Sequence, residues 1–286
     1  MAGRKMTENS HFRQRLPDRV KLNRIATVAT SIIDQSRQLM LKIIAILMMT
    51  ADHANRILFM NEYHLLTAMG RFAFPLFAFM IARNGLYTRN SAKYIGLLFL
   101  FGIASQPIYA WALNHEWLQP LNVLFTLGLG LLAVRAWLAG YWWALPLIIA
   151  SGWFVDYGME GVTVMPVIAF IIQSINKRGF WHLLTILGFG ILIALSYRIN
   201  ASSYAANVIA AFALGFMTLL PQLDAVEKKL RWPNFRLFFY GFYPCHLILL
   251  ALISHWLQVR GTDFHGHPAA LPNAGTDCVC PLYAAR

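Results

Sequence analysis

From Met40 onward the chain alternates long apolar blocks with short polar interruptions. The blocks run near 40–60, 64–83, 94–114, 121–138, 141–155, 161–176, 180–197, 204–220 and 236–258. Roughly 20 apolar residues carry an α-helix across a bilayer, and several of these blocks are shorter. Connections of a few residues leave consecutive helices no choice but to run antiparallel. The pattern predicts an all-α fold, a polytopic transmembrane helix bundle of about nine spans within residues 39–259. Residues 1–38 are polar and basic, with Arg4, Lys5, Arg13, Arg15, Arg19, Lys21 and Arg24, and read as a disordered cytoplasmic arm. The first apolar block is too long and too far from Met1 for a signal peptide. After Arg260 the run GTDFHGHPAALPNAGTDCVCPLYAAR has no period and many Gly and Pro residues, and reads as a flexible tail over 260–286.

Charge orients this bundle. Arg89 and Lys93, then Arg135, then Lys177 and Arg178, then Lys228, Lys229 and Arg231 fall in alternate connections. The connections between them hold Arg56 and Arg198 with Asp156 and Glu160. The positive-inside rule therefore puts the amino terminus and the basic connections in the cytoplasm. The composition, 58% hydrophobic and 13% charged with a mean hydropathy of +0.52, departs from soluble domains, in which about 25% of residues are charged. The net charge of +12 lies in short segments between apolar blocks. No basic patch is interleaved with exposed aromatics, which argues against nucleic acid as a partner and for a lipid bilayer. Three cysteines build no disulfide framework. Cys278 and Cys280 near His265 and His267 lack the spacing of common zinc sites, and no metal is expected. No internal repeat is evident, which counts against an inverted-repeat transporter.

The chemistry concentrates in LKIIAILMMTADHANRILFMNEYHLLTAMGRFAFPLFAFMIARNG, from Leu41 to Gly85. Asp52 and His53 interrupt its first apolar block and Arg71 its second. In a hairpin turning near Asn61 and Glu62, Asp52 and Arg71 stand at equal depth, roughly 14 Å below the turn. An isolated charge there costs about 2.5–3.5 kcal/mol, so the geometry predicts that the two are partners. Arg71 has a second role open to it, holding a phosphate or a developing oxyanion in its planar fork. Pro75 loosens the helix after Arg71. His246 lies mid-span in the last block beside Tyr243, Pro244 and Cys245; Cys245 reads either as an acyl-carrying nucleophile or as a small apolar filler. Asn122 and Thr126 stand one helical turn apart and either line a cavity or bond neighbouring helices. There is no Walker A loop, no Rossmann GxGxxG and no HExxH.

ADHANRI, then GRFAFPLFAF, then FYPCHL near the end form a specific ordered set, with NVLFTLGLG and DYGMEG as weaker features. Over roughly residues 38–258 the chain resembles the TraX family of integral membrane proteins, named for the F-pilin acetylase, and more distantly the integral membrane acyltransferases. The resemblance implies acetyl-CoA-dependent transfer at the bacterial inner membrane, to an amine (the pilin amino terminus in the named family) or to a hydroxyl of an envelope polymer. It points to His53 as general base, whose ordinary pKa of about 6.5 suits the task, and to His246 as relay or alternative base. Adjacent helical residues point about 100° apart, so Asp52 does not orient His53; Asp156 is one candidate to do so. Asp52 and Arg71 complete the catalytic set, with Asn55, Asn122, Asp156 and Tyr243 on the substrate or cofactor side. Lys93, Lys177 and Arg178 offer positive charge to an anionic donor. The competing class is a non-enzymatic transporter or assembly factor that uses the Asp52–Arg71 pair as a gate or structural pin.

Overall fold

The computed structural model describes residues 40–88, 90–175, 177–199 and 236–259, with side chains in the last stretch from Tyr240. The arm at 1–38, the block near 204–220, the tail at 260–286, Arg89 and the cluster at Lys228, Lys229 and Arg231 lie outside the described residues. From Lys42 onward the described residues belong to the larger of two compact units, Lys42–Thr218 with Phe235–Arg286.

Every regular element among the described residues is a helix. In order they are α1 (40–58), α2 (His64–Gly70), α3 (Ala73–Tyr87), α4 (Ser91–Leu113), α5 (Val123–Leu138), α6 (Ala144–Ala150), α7 (Gly158–Ser174), α8 (Phe180–Ile199) and α9 (Arg236–Val259). Among the described residues four stretches are long and apolar enough to cross a membrane: His64–Tyr87, Ser91–Leu113, Phe180–Ile199 and Tyr240–Val259. α5 and α7 are apolar but shorter, at 16 and 17 residues, or roughly 24–26 Å. The block predicted over 141–155 is α6 followed by a 3₁₀ turn, Ser151–Phe154.

α7 is the centre of the bundle, packed on α3, α5, α6 and α8, while α4 lies between α5 and α9. Leu127, Leu131 and Val134 of α5 meet Met165, Ile168 and Ala169 of α7 and Ala78 and Ala82 of α3 in one core. Small residues let these apolar helices approach, as they do where lipid removes the hydrophobic drive for association. The LGLG of α5 serves two neighbours: a methyl at Gly128 would press on the Phe99 ring of α4, and one at Gly130 would overlap Met165 of α7.

Contacts fix which helix ends lie together. Arg198 at the end of α8 binds Glu160 at the start of α7 at 3.1 Å, and Arg135 of α5 reaches the Gly85 carbonyl of α3 at the opposite end. Tyr240 of α9 stacks on Phe101 of α4, while Tyr243 and Leu247 pack with Tyr109 further along, so α9 runs parallel to α4. One end thus gathers the α1–α2 turn, the 114–122 connection, residues 155–157 and Arg198. Its acidic groups are Glu62, Glu116, Asp156 and Glu160, whereas Arg83, Lys93, Arg135, Lys177 and Arg178 belong to the other end.

Two features recess the first of these ends. Asn122 caps α5 by accepting from the Leu124 N–H, and its amide donates to the Gly102 carbonyl and to Gln106 Oε1, both at 2.8 Å. Gly102 lies well before the α4 terminus at Leu113, so α5 starts roughly 16 Å beneath the end of α4. Residues 114–122 double back beside α4, held by Gln106, whose amide donates to the Trp117 and Pro120 carbonyls. Leu121 then pairs with Val155 in a parallel bridge, with Leu121 N–H to the Phe154 carbonyl at 2.9 Å and Asp156 N–H to the Leu121 carbonyl at 2.8 Å. Irregular backbone at such depth survives because its polar groups are paired within the protein.

The predicted block at 64–83 is broken at Arg71 and Phe72 and continues to Tyr87. Pro75 has no N–H to return to the Arg71 carbonyl, so the α2 ladder stops there and α3 begins with proline in its first turn, where it is tolerated.

Candidate functional site

Asp52 and His53 sit in the last two turns of α1 with different surroundings. Asp52 is buried, and its Oδ2 pairs with Arg56 Nε at 3.0 Å, one turn on along the same helix. The expected Asp52–Arg71 partnership is therefore not formed. Asp52 packs so closely over Gly70 that a methyl there would overlap it, which lets α2 meet α1 closely. Arg71 remains close enough to act electrostatically on Asp52 but forms no ion pair among the described residues. Asp52 Oδ1 is buried without a hydrogen-bond partner among them.

His53 points to α9. Its Nδ1 lies 2.8 Å from His246 Nε2, the two rings lie edge to edge with centroids 5.1 Å apart and planes within 13°, and both residues are buried. His246 Nδ1 in turn lies 2.9 Å from the Phe242 carbonyl. A carbonyl only accepts, so His246 Nδ1 carries a hydrogen. When both rings are neutral, His246 Nε2 is then the acceptor, His53 Nδ1–H donates to it, and His53 Nε2 is left with a lone pair. The chain Phe242 carbonyl, His246, His53 fixes both tautomers and leaves one basic nitrogen.

His53 lines a cavity of about 80 Å³ together with Asp52, Asp156, Tyr157, Tyr243 and the start of α5 at Val123 and Leu124. The Leu121–Val155 pairing brings Asp156 there, and it lies within electrostatic reach of Asp52, Arg56, Tyr109 and Tyr243. Tyr243 is buried edge-on to His53, and its hydroxyl has no partner among the described residues. Burial holds the His115 imidazole, stacked on Tyr109 in the 114–122 connection, below its ordinary pKa; Asp156 opposes that shift and Arg56 adds to it.

Of the residues singled out from sequence, Asp52, His53, Asp156 and Tyr243 meet at this cavity, with His246 behind His53. Arg71 lines a different, smaller cavity. Asn55 holds the α1–α2 turn: its amide donates to the Tyr63 carbonyl at 2.9 Å and to Thr67 Oγ1 at 2.8 Å, and its Oδ1 accepts from the Tyr63 N–H. Asn122 is likewise occupied by scaffold. Cys245 is exposed on α9, whereas its neighbour His246 is buried. Sequence reasoning missed Arg56, Gly70 and Tyr157. Arg56 was signalled by its i,i+4 spacing from Asp52; the other two carry no local signal. Among the described residues no group of His, Cys, Asp or Glu could hold a metal ion.

The fold and site define an apolar helical bundle with a buried histidine pair, one ring of which lines a mainly apolar cavity shared with two carboxylates and two tyrosines. The TraX protein family matches residues 37–254, and the chain belongs to that family. It is similar to the probable fimbrial assembly protein FimC, serogroup H1, of Dichelobacter nodosus, at 32% identity over 240 residues that cover 76% of this chain and 96% of that protein. No solved structure matches.

Proposed function

We propose that the chain is a multi-pass inner-membrane acyltransferase that moves an acetyl group from acetyl-CoA to an amine or hydroxyl acceptor in the pilus or envelope. The observation that carries this reading is the tautomer chain that leaves a lone pair on His53 Nε2, on a ring that lines a cavity with Asp52, Asp156, Tyr157 and Tyr243. His53 Nε2 takes the proton from the acceptor N–H or O–H as that atom attacks the thioester carbonyl. The C–S bond breaks, the thiolate leaves, and it takes the proton back from His53. His53 Nδ1–H stays on His246 throughout, so His246 steadies the imidazolium while it exists. Tyr243 supplies its unpartnered hydroxyl to the carbonyl oxygen as charge develops there. The cavity is well below the roughly 300–1,000 Å³ of whole-ligand pockets, so it takes the reacting groups and leaves the remainder of both substrates outside.

The basic residues gathered at the end opposite the site support an amino terminus in the cytoplasm and a site in the outer half of the bundle. About nine spans, with the 204–220 block among them, fit that orientation. The non-enzymatic alternative is favoured by the name of the fimbrial relative. Its proposed pin across the hairpin lacks support, since Asp52 pairs within α1.

The test is purified full-length protein in detergent with radiolabelled acetyl-CoA and a panel of amine and hydroxyl acceptors. Acceptor-dependent release of CoA is expected. In His53→Gln it should fall by about a hundredfold to ten-thousandfold while protein accumulates normally. No labelled acceptor from any membrane fraction, or an unimpaired His53→Gln, would leave the assembly-factor reading standing.

A further inference from the structure

We infer that Arg71 heads a second binding site, for the phosphate of a membrane amphiphile whose acyl chain lies against α3 and α8. This does not rest on acyl transfer at His53. Arg71 stands inside the 24-residue span His64–Tyr87, about 11 Å in from its first residue. A guanidinium at that depth pairs with a counter-charge or faces a polar cavity, yet among the described residues that of Arg71 has neither an ion pair nor a hydrogen bond. Asp52 acts on Arg71 electrostatically without pairing with it. Asp52 gives Oδ2 to Arg56 and packs Oδ1 against Gly70, and Asp156 lines the His53 cavity.

Arg71 faces a separate cavity of about 20 Å³ lined by Phe74, Tyr157, Ile168, Leu192 and Ser196, all on α3, α7 or α8 apart from Tyr157, which precedes α7. The wall between the two cavities is Phe74 stacked on Tyr157, with centroids 3.9 Å apart and planes within 10°. Both rings line both cavities. A space this small admits the oxygens of an anion but not a whole headgroup. Arginine's planar fork suits two phosphate oxygens, and a serine side chain completes the lining. The rest of the lining is aliphatic or aromatic, with Phe74 and Pro75 from α3, Val164 and Ile168 from α7, and Leu192 and Ile199 from α8. A soluble phosphate would leave that apolar surface uncovered, whereas an acyl chain covers it. The shared chemistry is a phosphate oxyanion; its lipid source is what the apolar lining adds.

The experiment is native mass spectrometry of the full-length protein in detergent. The probes are phosphatidylglycerol, diacylglycerol of the same chains, and inorganic phosphate as competitor. The wild type should hold phosphatidylglycerol at least tenfold more tightly than diacylglycerol, unaffected by millimolar phosphate. Arg71→Gln should reduce that ratio to near one, and Arg71→Lys, which keeps the charge without the fork, to an intermediate value. Arg198→Gln, on the exposed end of α8, should leave the ratio unchanged. If Arg71→Gln accumulates poorly, the lysine variant and the phosphate competition decide alone. An unchanged ratio in Arg71→Lys and Arg71→Gln, or full displacement by inorganic phosphate, overturns the lipid site. His53→Gln should retain the lipid ratio while losing turnover, so failure here and failure of the transferase reading are separately visible.

Discussion

Replacing His246 by phenylalanine isolates what the histidine pair does. The ring shape is kept and the acceptor for His53 Nδ1–H is removed, although the two residues are 193 positions apart in sequence. A buried donor left without an acceptor costs about 1–3 kcal/mol. That cost falls on the His53 tautomer that leaves Nε2 free. The other neutral tautomer places its hydrogen on Nε2 and has nothing to lose at Nδ1. At about 1.4 kcal/mol per tenfold, the productive tautomer drops by about fivefold to 140-fold. Turnover of acetyl-CoA with saturating acceptor should fall by that factor, with KM for the donor little changed, because the loss is in the reacting population rather than in binding. His246→Gln should recover most of the loss, since its amide oxygen can accept from His53 Nδ1–H. Stopped assays on detergent-purified protein, normalised to folded protein by size exclusion, give all three values. Full turnover in His246→Phe refutes the tautomer argument, and so does a glutamine variant no better than the phenylalanine one.

Arg56→Ala strands the Asp52 carboxylate and should lower stability by about 3–5 kcal/mol, read as a lower melting temperature; adding Asp52→Asn should restore part of it. Recovery through Arg71 substitutions instead would return the pairing to the hairpin partner. Gly70→Ala forces a methyl onto Asp52 and should destabilise by about 1–3 kcal/mol, a larger loss than Gly130→Ala, where the flexible end of Met165 can move aside; equal melting temperatures would contradict the close α1–α2 approach. Single cysteines at Asn61, Glu116 and Met159 should label from one side of the membrane and those at Asn90, Tyr141 and Lys177 from the other, and mixed labelling within either set would break this order of helices.

Much of the bundle is legible in the chain. Apolar blocks interrupted by a few polar residues leave antiparallel helices as the arrangement that satisfies the backbone, so α1, α4, α5, α7, α8 and α9 fall close to where the pattern puts them. Asp52, His53 and His246 stand out because ionisable groups amid apolar sequence are costly unless something nearby accommodates them. Local pattern does not carry partnership. Depth along two idealised helices pairs Asp52 with Arg71, but Pro75 ends α2 at Arg71, Gly70 brings Asp52 onto the backbone of α2, and Arg56 one turn away is already in reach. Asn55 and Asn122 look like cavity residues, since an amide in an apolar run invites a ligand; in the structure their bonds hold a turn and a recessed helix start. Above all, the contact of His53 with His246, and the tautomers it dictates, depends on α9 running parallel to α4 and meeting α1 at one depth. Local sequence determines which groups must be accommodated inside the bundle, because burial energetics belong to each residue; which groups accommodate one another depends on distances that only packed helices have.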